Sequence, residues 1–291
     1  MDISFIGIGV MGISMARNLM KNGHSVRAYT RTRSKALPLA DEGAVLCDSI
    51  ADCVRDAEAV ITIVGYPKDV EEVYLGEGGI LDSAKKGALV IDMTTTSPAL
   101  WQNIARLARQ KGLHPLDAPV SGGDNGAKAG TLAIMVGGEA ADFEAAKPLF
   151  ECMGKTIVLE GGDGAGQHTK MANQIAIAGA VAGVAEAIRY GEEAGLDLTR
   201  MLDTISTGAA GSWQMSNNGS KMVSKDQAPG FYIKHFVKDL KIARDESKER
   251  ELKLPILKKV LKMYQEMEDQ DQGDLGTQAL IDWYRGQDLE D

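Results

Sequence analysis

Lys170, Asn173 and Gln174 are spaced for chemistry: offsets of three and four residues put all three on one helix face. An ammonium in the first turn of an apolar helix opposes the helix dipole, so this lysine reads as functional rather than solvating. Burial and a neighbouring cationic ring would lower its pKa toward the range useful for proton transfer. His168 titrates near neutrality but lies off that face, and it is set aside as a general base. A second chemical segment is Asp117-Ala118-Pro119-Val120-Ser121-Gly122-Gly123, just after a predicted strand, where loops of open α/β sheets line the ligand crevice. Ser121 offers a hydroxyl, and Gly122 and Gly123 expose backbone N–H groups that suit a carboxylate. A plain glycine turn is the competing reading of that loop.

Gly7-Ile8-Gly9-Val10-Met11-Gly12 follows a predicted strand, opens a predicted helix and begins a strand–helix–strand unit ending near residue 35. In such a unit Gly7 permits the tight turn, Gly9 lets a pyrophosphate approach the backbone, and Gly12 allows helix and strand to pack closely. The helix N-terminus adds free N–H groups and a positive dipole end. The chain is therefore expected to bind a nicotinamide cofactor. Where an NAD-binding unit usually holds an acid on the ribose, the sequence reads Tyr29-Thr30-Arg31-Thr32-Arg33-Ser34. A guanidinium pairs with a 2′-phosphate and no carboxylate stands there to repel it, so NADP is expected, with NAD as the alternative. The competing reading is that Arg31 and Arg33 only solvate an exposed turn.

These segments need a frame to hold them. Short β-branched runs at Ile3–Ile6, Ser25–Tyr29, Ala59–Val64, Ala88–Asp92, Leu113–Leu116, Leu132–Val136 and Thr156–Leu159 alternate with amphipathic helices such as Met11–Asn22. Another helix spans Pro98–Lys111, with Ser97 as N-cap and Gly112 as its stop. This alternation predicts an α/β fold with a mostly parallel, doubly wound, Rossmann-type sheet. From about residue 162 no convincing strand remains. A glycine-rich segment, Glu160–Gly166, leads into a helix over Gln167–Ala194, roughly 40 Å long. Its middle, Ile175–Ala185, is apolar on every side and is expected to be wrapped by protein all round. Helices at Thr199–Ser206, Ile233–Arg250, Pro255–Met267 and Thr277–Tyr284 follow, and the acidic tail Gln287–Asp291 is expected to fray. The expected domains are 1–162, binding the cofactor, and an all-helical 163–291, the two joined by the long helix.

With 291 residues and 44% apolar content the chain can bury sizeable cores. A formal net charge of −9 argues against a nucleic-acid partner. Cys47, Cys53 and Cys152 form no C-x-x-C or Cys/His pair, so neither disulfides nor a metal site are expected, which fits a reducing compartment. The N-terminus runs straight into an apolar strand without a basic leader, and the 11 residues Ile175–Ala185 are too few to span a bilayer. A cytoplasmic protein with no membrane partner is expected.

Taken together and in this order, the motifs resemble those of the β-hydroxyacid dehydrogenase family over essentially the whole chain. That family includes 3-hydroxyisobutyrate dehydrogenase, tartronate semialdehyde (2-hydroxy-3-oxopropionate) reductase, and succinic semialdehyde and glyoxylate reductases. The resemblance implies that Lys170 gives and takes the proton, that Ser121, Gly122 and Gly123 hold the substrate carboxylate, and that Asn173 contacts the substrate. Within Gly230–Asp239, Phe231 resembles a substrate-pocket aromatic and Lys238 the lysine on the nicotinamide side. Within Asp92–Pro98, Thr95 resembles a cofactor-contacting residue; Val10, Met11, Thr32 and Pro67 complete the expected cofactor set. Many relatives carry Asn-Asn where this chain has Asn173-Gln174, which leaves the role of Gln174 open. The implied function is interconversion of a small β-hydroxy acid and its semialdehyde by an NAD(P)-dependent homo-oligomer, dimer or tetramer. The rivals are a decarboxylating enzyme like 6-phosphogluconate dehydrogenase, an imine reductase, and a catalytically silent NADP sensor.

Overall fold

A computed structural model describes residues 1–286; the tail Gln287–Asp291 lies outside the described residues. The chain divides into two compact units, Met1–Lys170 and a second from Met171 onward. The first contains, in order, β1 (Asp2–Ile6), α1 (Val10–Lys21), β2 (Ser25–Tyr29), α2 (Leu37–Asp41), β3 (Val45–Leu46), α3 (Ile50–Val54), β4 (Ala59–Thr62), α4 (Pro67–Leu75) and α5 (Ile80–Ser83). It continues through β5 (Leu89–Asp92), α6 (Pro98–Gln110), β6 (His114–Asp117), β7 (Val120–Ser121), α7 (Gly123–Ala129), β8 (Leu132–Gly138), α8 (Ala140–Glu151) and β9 (Gly154–Gly161). Helix α9 (Ala165–Glu193) begins in this unit and runs into the next, where α10 (Leu198–Ile205), α11 (Trp213–Ser224), α12 (Ile233–Glu249), α13 (Pro255–Asp269) and α14 (Leu280–Arg285) follow.

The sheet has the order β3-β2-β1-β4-β5-β6-β8-β7, with β9 beside β8. All neighbours from β3 to β6 are parallel, whereas β8 runs antiparallel to β6 and β7. Strands β4 and β5 are wholly buried because both faces are covered. Ala59, Ile61, Leu89 and Ile91 enter one apolar layer with Met15 and Leu19 of α1. Val60 and Val90 enter the opposite layer with Trp101 and Ile104 of α6. Alternation with period two thus feeds two cores from one sheet. The strand order reverses between β1 and β4, and ligand crevices of such sheets open at the carboxyl ends beside that switch point.

Seven of the strands lie where the sequence pattern predicts them, while β3 and β7, two residues each, are too short to leave a period. Ser97 caps α6 by accepting from the Leu100 amide at 3.4 Å. Helix α9 starts two residues earlier than expected, which moves Lys170 from the first turn to the second. Trp213–Ser224, a helix the sequence reading omits, is polar along much of its length and is capped by Ser212 on the Met215 amide at 3.1 Å. No strand is found beyond Gly161 among the described residues; Tyr232 and Gly276 form an isolated bridge.

The second unit closes around Phe236, whose ring meets Phe231 and Tyr264 edge-on at centroid distances of 5.9 and 5.2 Å. Ala178, Val181, Ala185 and Ile188 bring α9 into the same core. Within Ile175–Ala185, Ala176 and Gly183 are exposed, so the chain by itself does not wrap this stretch all round. Although its apolar middle is short, α9 as a whole is long and apolar enough to cross a membrane. A core helix satisfies the same measure, and α9 supplies core residues here. Replacing Phe236 with alanine should lower stability by about 3–5 kcal/mol. Urea unfolding of the two proteins, followed by circular dichroism, measures the difference.

Candidate active site

Every sequence-predicted site residue of the first unit lies at or just beyond the carboxyl edge of its sheet. Gly7 leaves β1 with φ +103°, and a Cβ there would stand 2.1 Å from the Ile63 carbonyl oxygen, so only glycine makes this turn. A Cβ on Gly12 would fall 2.0 Å from the Gly7 oxygen, whereas one on Gly9 would enter open space. The first turn of α1 contains no acid and no side chain caps its amides. Open approach at Gly9 and uncapped N–H groups fit a dinucleotide pyrophosphate. Val10 is exposed and Met11 half-buried at the same turn.

Arg31 and Arg33 are both exposed and each is paired with a carboxylate. Arg31 Nη1 lies 3.0 Å from Asp69 Oδ1, and the buried Asp69 also accepts from the Tyr66 amide through Oδ2 at 3.0 Å. Arg33 is paired with Asp48. Thr32 precedes a single 3-10 turn, and Pro67 is the first residue of α4. Beside them, Thr62, Asp92 and Asp117 stand in register on β4, β5 and β6. Asp92 is fully buried; its Oδ1 accepts from Thr62 Oγ1 at 2.7 Å and from the Thr94 amide at 3.1 Å. Thr94 Oγ1 in turn accepts from the Val64 amide at 2.9 Å. These bonds hold the loop on which Thr95 sits half-buried.

Lys170 is buried, and its Nζ donates to the Val120 carbonyl at 2.8 Å, immediately before Ser121. Ser121 is half-buried, and Gly122 and Gly123 follow with φ of +131° and +63°. Gly166 explains the glycine four residues before the lysine. A Cβ on it would lie 2.3 Å from the Met135 carbonyl oxygen and 2.9 Å from Asp117 Oδ2, so glycine alone lets the helix press on the sheet here. Asp117 accepts from the Gly164 and Gln167 amides at 2.9 and 2.8 Å. Buried Gln167 donates to the Thr94 carbonyl at 2.8 Å and accepts from the Thr96 amide at 3.0 Å.

In the second unit, Asn173 donates to Gln174 Oε1 at 2.8 Å, and Gln174 donates to Asp239 Oδ2 at 2.6 Å. The other oxygen of Asp239 lies 2.9 Å from Lys238 Nζ. Gln174 therefore has a role that the sequence left open: it ties Asn173, through a buried carboxylate, to Lys238. Phe231 is half-buried against Phe236. Lys234 and Lys241, on the same helix as Lys238, are partly exposed and paired with Asp274 and Glu268. The residues that sequence reasoning left without a role include Gln167 and the acids Asp69, Asp92, Asp117 and Asp239. Asp92 carried a signal, for it closes an otherwise apolar strand, where a solvated acid would be out of place.

Comparison with known proteins fits this arrangement. A family profile described as the NAD binding domain of 6-phosphogluconate dehydrogenase matches residues 2–162. Another, described as the NAD-binding of NADP-dependent 3-hydroxyisobutyrate dehydrogenase, matches residues 164–284. The chain is 40% identical to a 2-hydroxy-3-oxopropionate reductase of Escherichia coli (strain K12), covering 88% of this chain and 87% of that protein. The β-hydroxyacid dehydrogenase family is the one to which this chain belongs. The chain is also 50% identical to the uncharacterized oxidoreductase YkwC of Bacillus subtilis (strain 168), over 96% of each chain. The structure of a Mycobacterium tuberculosis 3-hydroxyisobutyrate dehydrogenase with L-serine superposes with a TM-score of 0.90 at 32% identity, covering 98% of this chain and 99% of that one. The chain is thus an oxidoreductase of the hydroxyacid dehydrogenase type that uses NADP, with NAD as the alternative.

In this β-hydroxyacid dehydrogenase the buried Asp92 has a thermodynamic consequence. Burial pushes its carboxyl up to about 7, against the opposing bonds from Thr94 and Thr62, with the Asp117 charge adding to the rise. A native pKa above the unfolded value means that the folded protein binds this proton more tightly, so stability falls as pH rises from about 4 through 7. Between pH 5.5 and 7.5 wild type should lose about 2 kcal/mol more than Asp92→Asn. Urea midpoints at the two pH values test this, and equal slopes would refute it.

Proposed function

We propose that the protein reduces a small semialdehyde to the corresponding β-hydroxy acid with NADPH, and catalyses the reverse oxidation, with Lys170 as general acid and base. The observation that carries the reading is a buried ammonium whose Nζ is 2.8 Å from the carbonyl preceding Ser121. Bound NADPH supplies the hydride. Protonated Lys170 gives its proton to the carbonyl oxygen as the alkoxide develops, and neutral Lys170 takes it back in oxidation. Ser121 and the amides of Gly122 and Gly123 hold the substrate carboxylate, and so present the aldehyde in one orientation. Asn173 and Phe231 keep the substrate-contacting roles that the family resemblance implies, and Thr95 and Lys238 the cofactor-contacting ones. The functional division assigned is 1–162 for cofactor binding and 163–291 for the helical domain. The homo-oligomer, dimer or tetramer, is supported by the exposed small-residue side of α9, and the cytoplasm by the free thiols of Cys47, Cys53 and Cys152.

NADPH oxidation measured against glyoxylate and succinic, tartronate and methylmalonate semialdehydes, with 6-phosphogluconate and NADP run alongside, identifies the substrate. Lys170→Ala should lower kcat on the preferred aldehyde by about 10²–10⁴-fold while NADPH still binds. A panel with no activity sensitive to this change overturns the semialdehyde-reductase reading. For the cofactor, Arg31→Glu should lower kcat/KM with NADPH by about tenfold or more and leave that with NADH nearly unchanged. Equal losses with both cofactors would remove Arg31 from the 2′-phosphate.

A further inference from the structure

We infer that Asp117 is a positioning residue, which fastens the start of α9 to the end of β6 and thereby fixes Lys170 beside the Ser121 loop. The inference rests on the reading of Lys170 as proton donor and goes beyond it by naming what holds the donor in place. Asp117 is fully buried, and its two oxygens are divided between two amides of one turn: Oδ1 accepts from Gly164 and Oδ2 from Gln167. Both are amides at the opening of α9, where no intrahelical acceptor is available to them. The fit leaves no slack, since a Cβ on Gly137 would stand 2.4 Å from Oδ1 and one on Gly166 2.9 Å from Oδ2.

Three residues beyond Asp117, the Val120 carbonyl accepts from Lys170 Nζ. The segment from Asp117 to Ser121 therefore grips α9 at two heights, by its first amides and by the lysine one turn on. Sliding or tilting the helix start would break both grips together. Gln167 extends the clamp to the Thr94 carbonyl and Thr96 amide, on either side of Thr95. Three loops with separate assigned tasks thus meet on one carboxylate and one amide side chain. Only a carboxylate accepts at both atoms. Asparagine would turn an NH₂ toward a backbone N–H and lose one of the two bonds.

The test is a double-mutant cycle of Asp117→Asn and Lys170→Ala, measured by single-turnover NADPH oxidation with the aldehyde that wild type reduces fastest. Asp117→Asn should slow the chemical step by about 30- to 100-fold in the wild-type background and by no more than about threefold when Lys170 is already alanine. The dissociation constant for NADPH should stay within about threefold, because the Gly7–Gly12 turn is untouched and the Gln167 side chain keeps its own bonds on either side of Thr95. Equal slowing in both backgrounds overturns the inference, since a general loss of structure would not depend on the lysine. Failure of Lys170→Ala to slow the reaction overturns instead the proton-donor reading on which it rests. If Asp117→Asn does not fold, Asp117→Ser, which keeps one acceptor in a smaller side chain, takes its place in the same cycle with the same expectation.

Discussion

A carboxylate that accepts two amide hydrogens at the opening of α9 is the constraint on which the rest of the first unit turns. Helix starts leave amides without partners, and a buried one must find acceptors elsewhere. Asp117 supplies them from the end of a strand, so the sheet and the helix carrying Lys170 share one anchor. The anchor works only because Gly137 and Gly166 leave room for it. Burial pushes the Asp117 carboxyl up to about 6, and the two backbone bonds work against that rise. Bonds made to the charged form offset the desolvation of a carboxylate placed where an apolar side chain would be easier to bury.

Two other acids follow the same logic at the same sheet edge. Asp92 organises the Thr94–Thr96 loop from within, and Asp69 holds Arg31 while satisfying the Tyr66 amide. In each case a short, buried side chain fixes a backbone turn or a longer side chain. Groups assigned to ligand binding are thereby ordered before a ligand arrives, which reduces the entropy lost on binding. In the second unit, Asp239 plays this part for Lys238 and Gln174.

Much of the fold was legible because it is written in local signals. Short β-branched runs marked seven strands, glycine at Gly7 and Gly12 marked the first turn, and Ser97 with Pro98 marked the start of α6. What was not legible joins residues far apart along the chain. Asp117 meets Gly164 and Gln167 across 47 and 50 residues, and Gln174 meets Asp239 across 65. No periodicity records such a pairing. The exposed side of α9 escaped for a different reason, because an apolar sequence does not say which of its small residues will find neighbours.

By itself, then, the sequence determined that a parallel α/β unit begins the chain, that a dinucleotide turn opens it, and that a lysine stands near the head of a long helix. Turn preference and side-chain periodicity are set by residues within a few positions of one another, so they are written along the chain itself. Only the tertiary structure decided which carboxylate holds that helix, that Arg31 is steadied by Asp69, and that Gln174 serves Asn173 and Lys238. Those choices depend on which strand ends and helix turns the cores bring together, and packing alone settles that.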